Sequence, residues 1–222
     1  VNVGFALGTV CLAYLIALRL YGSTAALTAA FLLCISPLHV RQSPIAAVDM
    51  HMTFWFAAAL LTALAIGRSQ RYRHYALAGL FAGLAASAKY PGAAAGVTVL
   101  AAHLGAGQSL WDRRLALTIT TAILAFAATS PYAILDAPAF FEDFLFQFGH
   151  ARAGRSDQPT AAWFHLSTTL RYSFGLLGHI GGGLGLLYAM AHWRRGGGVI
   201  VVGFFGFLVA VGGFVGTKLT VG

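Results

Sequence analysis

Charge is scarce in this chain. Only 9% of its 222 residues are Asp, Glu, Lys or Arg, and only six are acidic. A soluble domain carries about 25% charged residues, so this chain could not cover its own surface in water. There are two cysteines, Cys11 and Cys34, both inside apolar stretches. With no CxxC and no His/Cys spacing of the zinc type, nothing suggests a zinc site, and both cysteines read as small core residues that say nothing about redox compartment. Period-two alternation is missing as well. Ala57 to Ile66 runs apolar without a polar partner at every second position, which excludes the alternating segments of about ten residues that build a transmembrane barrel.

What the chain has is long apolar runs. Hydrophobic residues make up 59%, glycine contributes 27 positions, and the mean hydropathy is +0.77. Apolar runs separated by short charged clusters predict an all-α fold, a polytopic transmembrane helical bundle forming a single transmembrane domain over 1–222. About eight segments are expected: Val1 to Leu18, Ser23 to Leu38, Met50 to Gly67, Tyr75 to Ala88, Gly92 to Leu104, Leu115 to Ser130, Leu166 to Trp193 and Val199 to Gly216. Tyr75 to Leu104 reads as a hairpin of two pieces. As one helix it would reach roughly 45 Å across a hydrocarbon core of about 30 Å, and Lys89-Tyr90-Pro91-Gly92 is a poor helix centre. The chain starts at Val1 inside an apolar segment and shows no signal peptide, so it reads as a fragment of a larger membrane enzyme.

The net charge of +8 does not point to nucleic acid, because the arginines sit in short clusters between apolar runs. With the hairpin in place, one side of the bilayer receives Arg19, Arg68, Arg71, Arg73, Arg113, Arg114, Arg194 and Arg195. The other receives Arg41, Lys89, Arg152, Arg155, Arg171 and Lys218, together with five of the six acids. Short, tight arginine clusters mark the first side as cytoplasmic. The polar stretch over 131–165, which holds Asp136, Glu142, Asp143 and Asp157, is then an extracytoplasmic loop.

Within this frame the stretch Cys34 to Phe54 stands out. Pro37 and Pro44 set backbone breaks at Ser36 and Ser43, and Arg41 and Asp49 follow between two apolar segments. Such charges read either as an ordinary interfacial loop or as a site. On the same side lie Lys89 and Tyr90 at the hairpin tip, and His150, Arg152 and Arg155 in the long loop. Cations beside carboxylates at a membrane surface suit an anionic head group and a hydroxyl to be oriented or deprotonated. They would equally suit a transporter gate or a flippase. Asp136 reads as a loop cap as readily as a site group, and Glu142 and Asp143 read as a solvated helix face. The glycines Gly175, Gly178, Gly181 to Gly183 and Gly185 have no lysine after them, so close helix packing accounts for them better than a phosphate loop.

Three blocks carry a family resemblance: S-P-L-H-V-R-Q-S-P-I-A-A-V-D-M-H-M-T-F (Ser36 to Phe54), G-L-F-A-G-L-A-A-S-A-K-Y-P-G (Gly79 to Gly92), and S-P-Y-A-I-L-D (Ser130 to Asp136) followed by F-x-x-D-F from Phe140. Their order and spacing resemble the polyprenol-phosphate-dependent membrane glycosyltransferases of the GT-C fold, the glycosyltransferase family 39 group of protein mannosyltransferase and aminoarabinose-transferase relatives. The similarity covers about Leu18 to Leu187. It implies a multi-pass enzyme in a bacterial-type inner membrane, its site facing the periplasm or exterior. A sugar would pass with inversion from a polyprenyl-phosphate donor to an acceptor hydroxyl on a protein, lipid or glycan. A carboxylate would activate that hydroxyl, and cations, sometimes with a divalent metal, would stabilise the departing lipid phosphate.

The family's catalytic acid belongs to a first outer loop, expected upstream of Val1. By the resemblance Asp49 is therefore a supporting carboxylate or metal-ligand candidate. Arg41, Lys89, Tyr90, His150, Arg152 and Arg155 are the candidates for binding the lipid phosphate or substrate. A lipid-linked transporter or flippase and a non-catalytic assembly subunit are the alternatives.

Overall fold

The computed structural model describes residues 1–153, 167–168 and 170–212. Among them the chain is all helical. In order it forms α1 (Asn2–Tyr21), α2 (Ser23–Ile35), α3 (Pro37–Gln42), α4 (Asp49–Arg68), α5 (Tyr72–Ala88), α6 (Ala94–Gly105), α7 (Arg113–Thr129), α8 (Tyr132–Leu135), α9 (Ala137–Ala153), α10 (Leu170–Ala191) and α11 (Gly197–Gly212). Short 3-10 turns at Tyr90–Ala93 and Trp193–Arg195 join α5 to α6 and α10 to α11.

Residue size is distributed the opposite way from a water-soluble protein. Fully buried positions are dominated by alanine, at Ala26, Ala59, Ala63, Ala78, Ala85 and Ala95. Leu27, Phe31, Ile123, Leu124 and Leu184 each stand 62–64% exposed. Water would penalise such a surface heavily, whereas lipid tails receive it without cost and small residues let helix backbones approach. Cys11 and Cys34 belong to this exterior, so the expectation that they are core residues is corrected. An apolar segment in a bilayer turns one face to lipid, and apolar sequence therefore does not mean burial.

The break expected at Ser36 is present, and it ends the second segment three residues short of the expected Leu38. α2 ends at Ile35, Ser36 is extended, and Pro37 opens α3 at its first turn. Ser43 departs from the rule, for it stays in right-handed helical geometry before Pro44, its amide bonded to the His39 carbonyl at 3.1 Å. The Tyr75 to Leu104 region is a hairpin, as expected. Its two arms are tied at the far end, where the Tyr75 hydroxyl donates to His103 Nδ1 at 2.9 Å while His103 Nε2 donates to the Ser109 carbonyl at 2.8 Å. Both side chains are fully buried. Tyr75→Phe leaves the imidazole acceptor unpaired, and we expect a loss of about 1–3 kcal/mol, read as a lowered unfolding midpoint in detergent.

α5 and α7 run parallel and pack most closely. A Cβ at Gly79 would overlap the Thr118 carbonyl oxygen and the Thr121 hydroxyl. One at Gly83 would overlap the Ala122 carbonyl and meet the Ala125 Cβ at 2.9 Å. α1 and α4 also run parallel. Asn2 Nδ2 donates to the Ile45 carbonyl and, at 2.9 Å, to the Ala47 carbonyl at one end. At the other end Arg19 donates to the Leu61 carbonyl at 3.1 Å, and Arg68 donates to the Arg19 carbonyl.

Other expectations shift. Of the described helices, α1 and α4 are long and apolar enough to cross a membrane by length and composition. The polar stretch from Pro131 is helical as far as Ala153, in α8 and α9. The glycine run is not a packing seam among the described residues. Cβ atoms at Gly181, Gly182, Gly183 and Gly185 would meet nothing within 4 Å, and Gly175 instead breaks α10 with φ +66°. That left-handed conformation is open to glycine at no steric cost.

Candidate functional site

The site forms where three breaks meet. Asp49 is the first residue of α4, in the positive end of the helix dipole, where a carboxylate is favoured. Lys89 follows the last residue of α5 in extended geometry, with its amide bonded to the Ala85 carbonyl at 3.1 Å. Pro91 and Gly92 turn the chain immediately beyond it. A Cβ at Gly92 would strike the Ala85 carbonyl, so only glycine lets the turn close this tightly on α5. These two ends place the Lys89 Nζ 2.7 Å from Asp49 Oδ1.

The two side chains are 46% and 41% exposed. An ion pair this open contributes about 0–1 kcal/mol to stability, so fold maintenance does not account for it. The ammonium has three donors and uses one of them on Asp49, leaving the others for oxygen atoms of a ligand.

Around this pair lie groups of two kinds. Tyr90 meets the rings of Phe144 and Phe140 with centroids 5.1 and 6.4 Å apart. These phenylalanines are four residues apart on α9, hence on one face, and they lay that helix against the hairpin turn. Two residues before Lys89, the Ser87 hydroxyl shares hydrogen bonds with Ser130 at 2.8 Å and Thr129 at 2.7 Å. This hydroxyl cluster was missed from sequence. Its signal was present in the Ser130-Pro131 break and in Ser87 lying beside the lysine.

Asp49, Lys89 and Tyr90 thus gather at one end of the bundle. Arg41 is exposed on α3 and makes no ion pair or hydrogen bond among the described residues. Its neighbour His39 is structural, buried with Nε2 donating to the Ala6 carbonyl at 3.2 Å. His51 Nδ1 is buried with no hydrogen-bond partner among the described residues, its ring 4.2 Å from that of Phe5. Asp136 accepts from the Ala139 amide at 3.4 Å and caps α9, while Glu142 and Asp143 are exposed on that helix. The expectations for the side chains of His150 and Arg152, and for Arg155 altogether, lie outside the described residues.

A divalent cation does not fit at Asp49 as the described residues stand. No group of three or more His, Cys, Asp or Glu side chains is close enough to hold one among them, and the Asp49 carboxylate already faces an ammonium.

An apolar exterior, an alanine interior and a charged pair at one end define a membrane-embedded helical protein with a polar site at the end of its bundle. The sequence model of the dolichyl-phosphate-mannose-protein mannosyltransferases matches residues 3–134, more than half of the chain. The chain belongs to that family of GT-C-type membrane glycosyltransferases, and membership implies a lipid-linked sugar donor and an acceptor. The matched range contains Arg41, Asp49, Lys89 and Tyr90. No curated protein and no solved structure matches the chain.

Proposed function

We propose that this protein moves a sugar from a polyprenyl-phosphate carrier to an acceptor hydroxyl on the extracytoplasmic face of a bacterial-type inner membrane. The observation that carries the reading is the Asp49–Lys89 pair, half open to the surroundings at the end of an apolar bundle, inside the family's matched range. The acceptor oxygen attacks the anomeric carbon, the bond from that carbon to the phosphate oxygen breaks, and the electron pair leaves with the lipid phosphate. Lys89, with Arg41 as a second cation, meets the charge that develops there. Asp49 holds the ammonium in place and is a positioning residue. A carboxylate other than Asp49 takes the hydroxyl proton. His150, Arg152 and Arg155 are further groups for the donor phosphate, and the chain crosses the bilayer in about eight segments. No step here runs through a metal.

Support for the orientation comes from the arginines. The contacts of Arg19, Arg68, Arg194 and Arg195 lie at the end opposite Asp49, as short clusters on the cytoplasmic side would. The test is sugar release from a radiolabelled polyprenyl-phosphate mannose in membranes containing the protein. Lys89→Met is expected to raise the donor KM about tenfold or more, the loss of one charge-assisted phosphate contact. Unchanged donor KM in that variant removes Lys89 from the phosphate. Cysteine labelling that places positions 49 and 89 on one face and position 150 on the other would end the proposal of a shared site.

A further inference from the structure

We propose that the arginine end of the bundle holds a second site, separate from Asp49 and Lys89, that takes the phosphoryl head group of an anionic phospholipid. A cavity of about 600 Å³ opens there, within the roughly 300–1,000 Å³ of small-molecule sites. Four arginines line it, Arg19, Arg68, Arg194 and Arg195, and no Asp or Glu does. Among the described residues none of the four has an acidic partner. The 20 residues of α4 separate this cavity from Asp49 by about 30 Å, so the two sites share no residue.

Two of the cations are fixed in place. Arg19 donates to the Leu61 carbonyl at 3.1 Å, and Arg68 donates to the Arg19 carbonyl. A guanidinium carries five N–H donors, so each keeps most of its fork free. The plainer account is that these arginines cap helix C-termini, which gather here at the ends of α1, α4 and α6. Each such end carries about half a negative charge, which offsets part of four positive charges but offers nothing bidentate. Capping also requires no space between the capping groups, and here there is a cavity.

The rest of the lining selects the source of the phosphate. Leu64 and Val199 give the cavity an apolar wall, and Trp193 stands half exposed beside the arginines. A free phosphate ion gains nothing from such a wall. A phospholipid places its phosphoryl oxygens on the guanidiniums and its glycerol and first methylenes against the wall, with the indole at the interface. Gly196 keeps the space open, since its φ of +99° sets the turn and a Cβ there would press on Leu20 Cδ2 at 2.8 Å.

The experiment is native mass spectrometry of the detergent-solubilised full chain with phosphatidylglycerol or phosphatidylcholine added. Phosphatidylglycerol is expected to remain bound at least about tenfold more than phosphatidylcholine, and the Arg194→Gln/Arg195→Gln double variant is expected to abolish the difference. Arg194→Lys/Arg195→Lys keeps part of it, because the charge stays while the fork is lost. Arg73→Gln, at an arginine that does not line the cavity, leaves it unchanged. Arg19→Gln repeats the test from another helix should the double variant not fold. Equal retention of the two lipids overturns the proposal, as does an equal loss in Arg73→Gln. Complete displacement of phosphatidylglycerol by inorganic phosphate alone would assign the cavity to the free anion instead.

Discussion

Asp49→Asn is expected to lower sugar turnover at least about tenfold while expression and the unfolding midpoint stay near those of the parent. The two halves of this expectation have separate grounds. The pair with Lys89 is short, 2.7 Å, but its members are 46% and 41% exposed, and solvent takes back most of what the charges gain. Stability therefore changes by less than about 1 kcal/mol. In the proposed reaction the rate depends on where the ammonium stands when the phosphate leaves, and an amide holds a lysine far less firmly than a carboxylate does. Asp49→Glu, which restores the charge at a longer reach, is expected to recover part of the rate. A merely structural Asp49 would show the reverse pattern, with a falling midpoint and an unchanged rate per folded molecule. Full activity in Asp49→Asn would remove the residue from the site.

The second large effect lies between α5 and α7. Replacing Gly79 and Gly83 together by valine sets two β-branched side chains against the Thr118 and Ala122 carbonyls, where even a methyl overlaps. Neither obstacle is the flexible tip of a side chain, since both are backbone of the facing helix. Overpacking of this kind costs about 1–3 kcal/mol per site, so the double variant loses a large part of any marginal stability. It should accumulate poorly, and its surviving fraction should unfold at a clearly lower temperature. Because Ser87 on α5 meets Ser130 just past α7, a helix pushed outward also parts the hydroxyl cluster beside Lys89. Gly181→Ala in α10 is the control, for a Cβ there meets nothing. A double variant as stable as the parent would show that α5 and α7 are not held by this close approach.

Much of this was legible in the sequence because it depended on local rules. The break at Ser36 before Pro37, Pro91-Gly92 turning a hairpin, and a carboxylate at the start of an apolar run each follow from neighbouring residues alone. The pairing of Asp49 with Lys89 was implied only as a shared side, since no local pattern tells which of six cations on a face meets a given acid. The hydroxyl cluster joins residues more than forty positions apart, and its members look like ordinary helix-end serines and threonine. Burial failed for a different reason. In a chain where both interior and exterior are apolar, Cys11, Cys34 and the glycines of α10 carry no sign of which way they face. Size turned out to be the useful mark, with alanine inward and leucine outward.

That inversion of size has a consequence for handling the molecule. Oil surrounds these helices as readily as they surround one another, so what separates the folded bundle from loosened helices is snugness of fit and a few bonds such as the one joining Tyr75 to His103. Surfactants with short, wedge-shaped tails can slip between α5 and α7 where a bilayer lipid cannot. Circular dichroism would then report intact helices in a sample whose rate of sugar release had already collapsed.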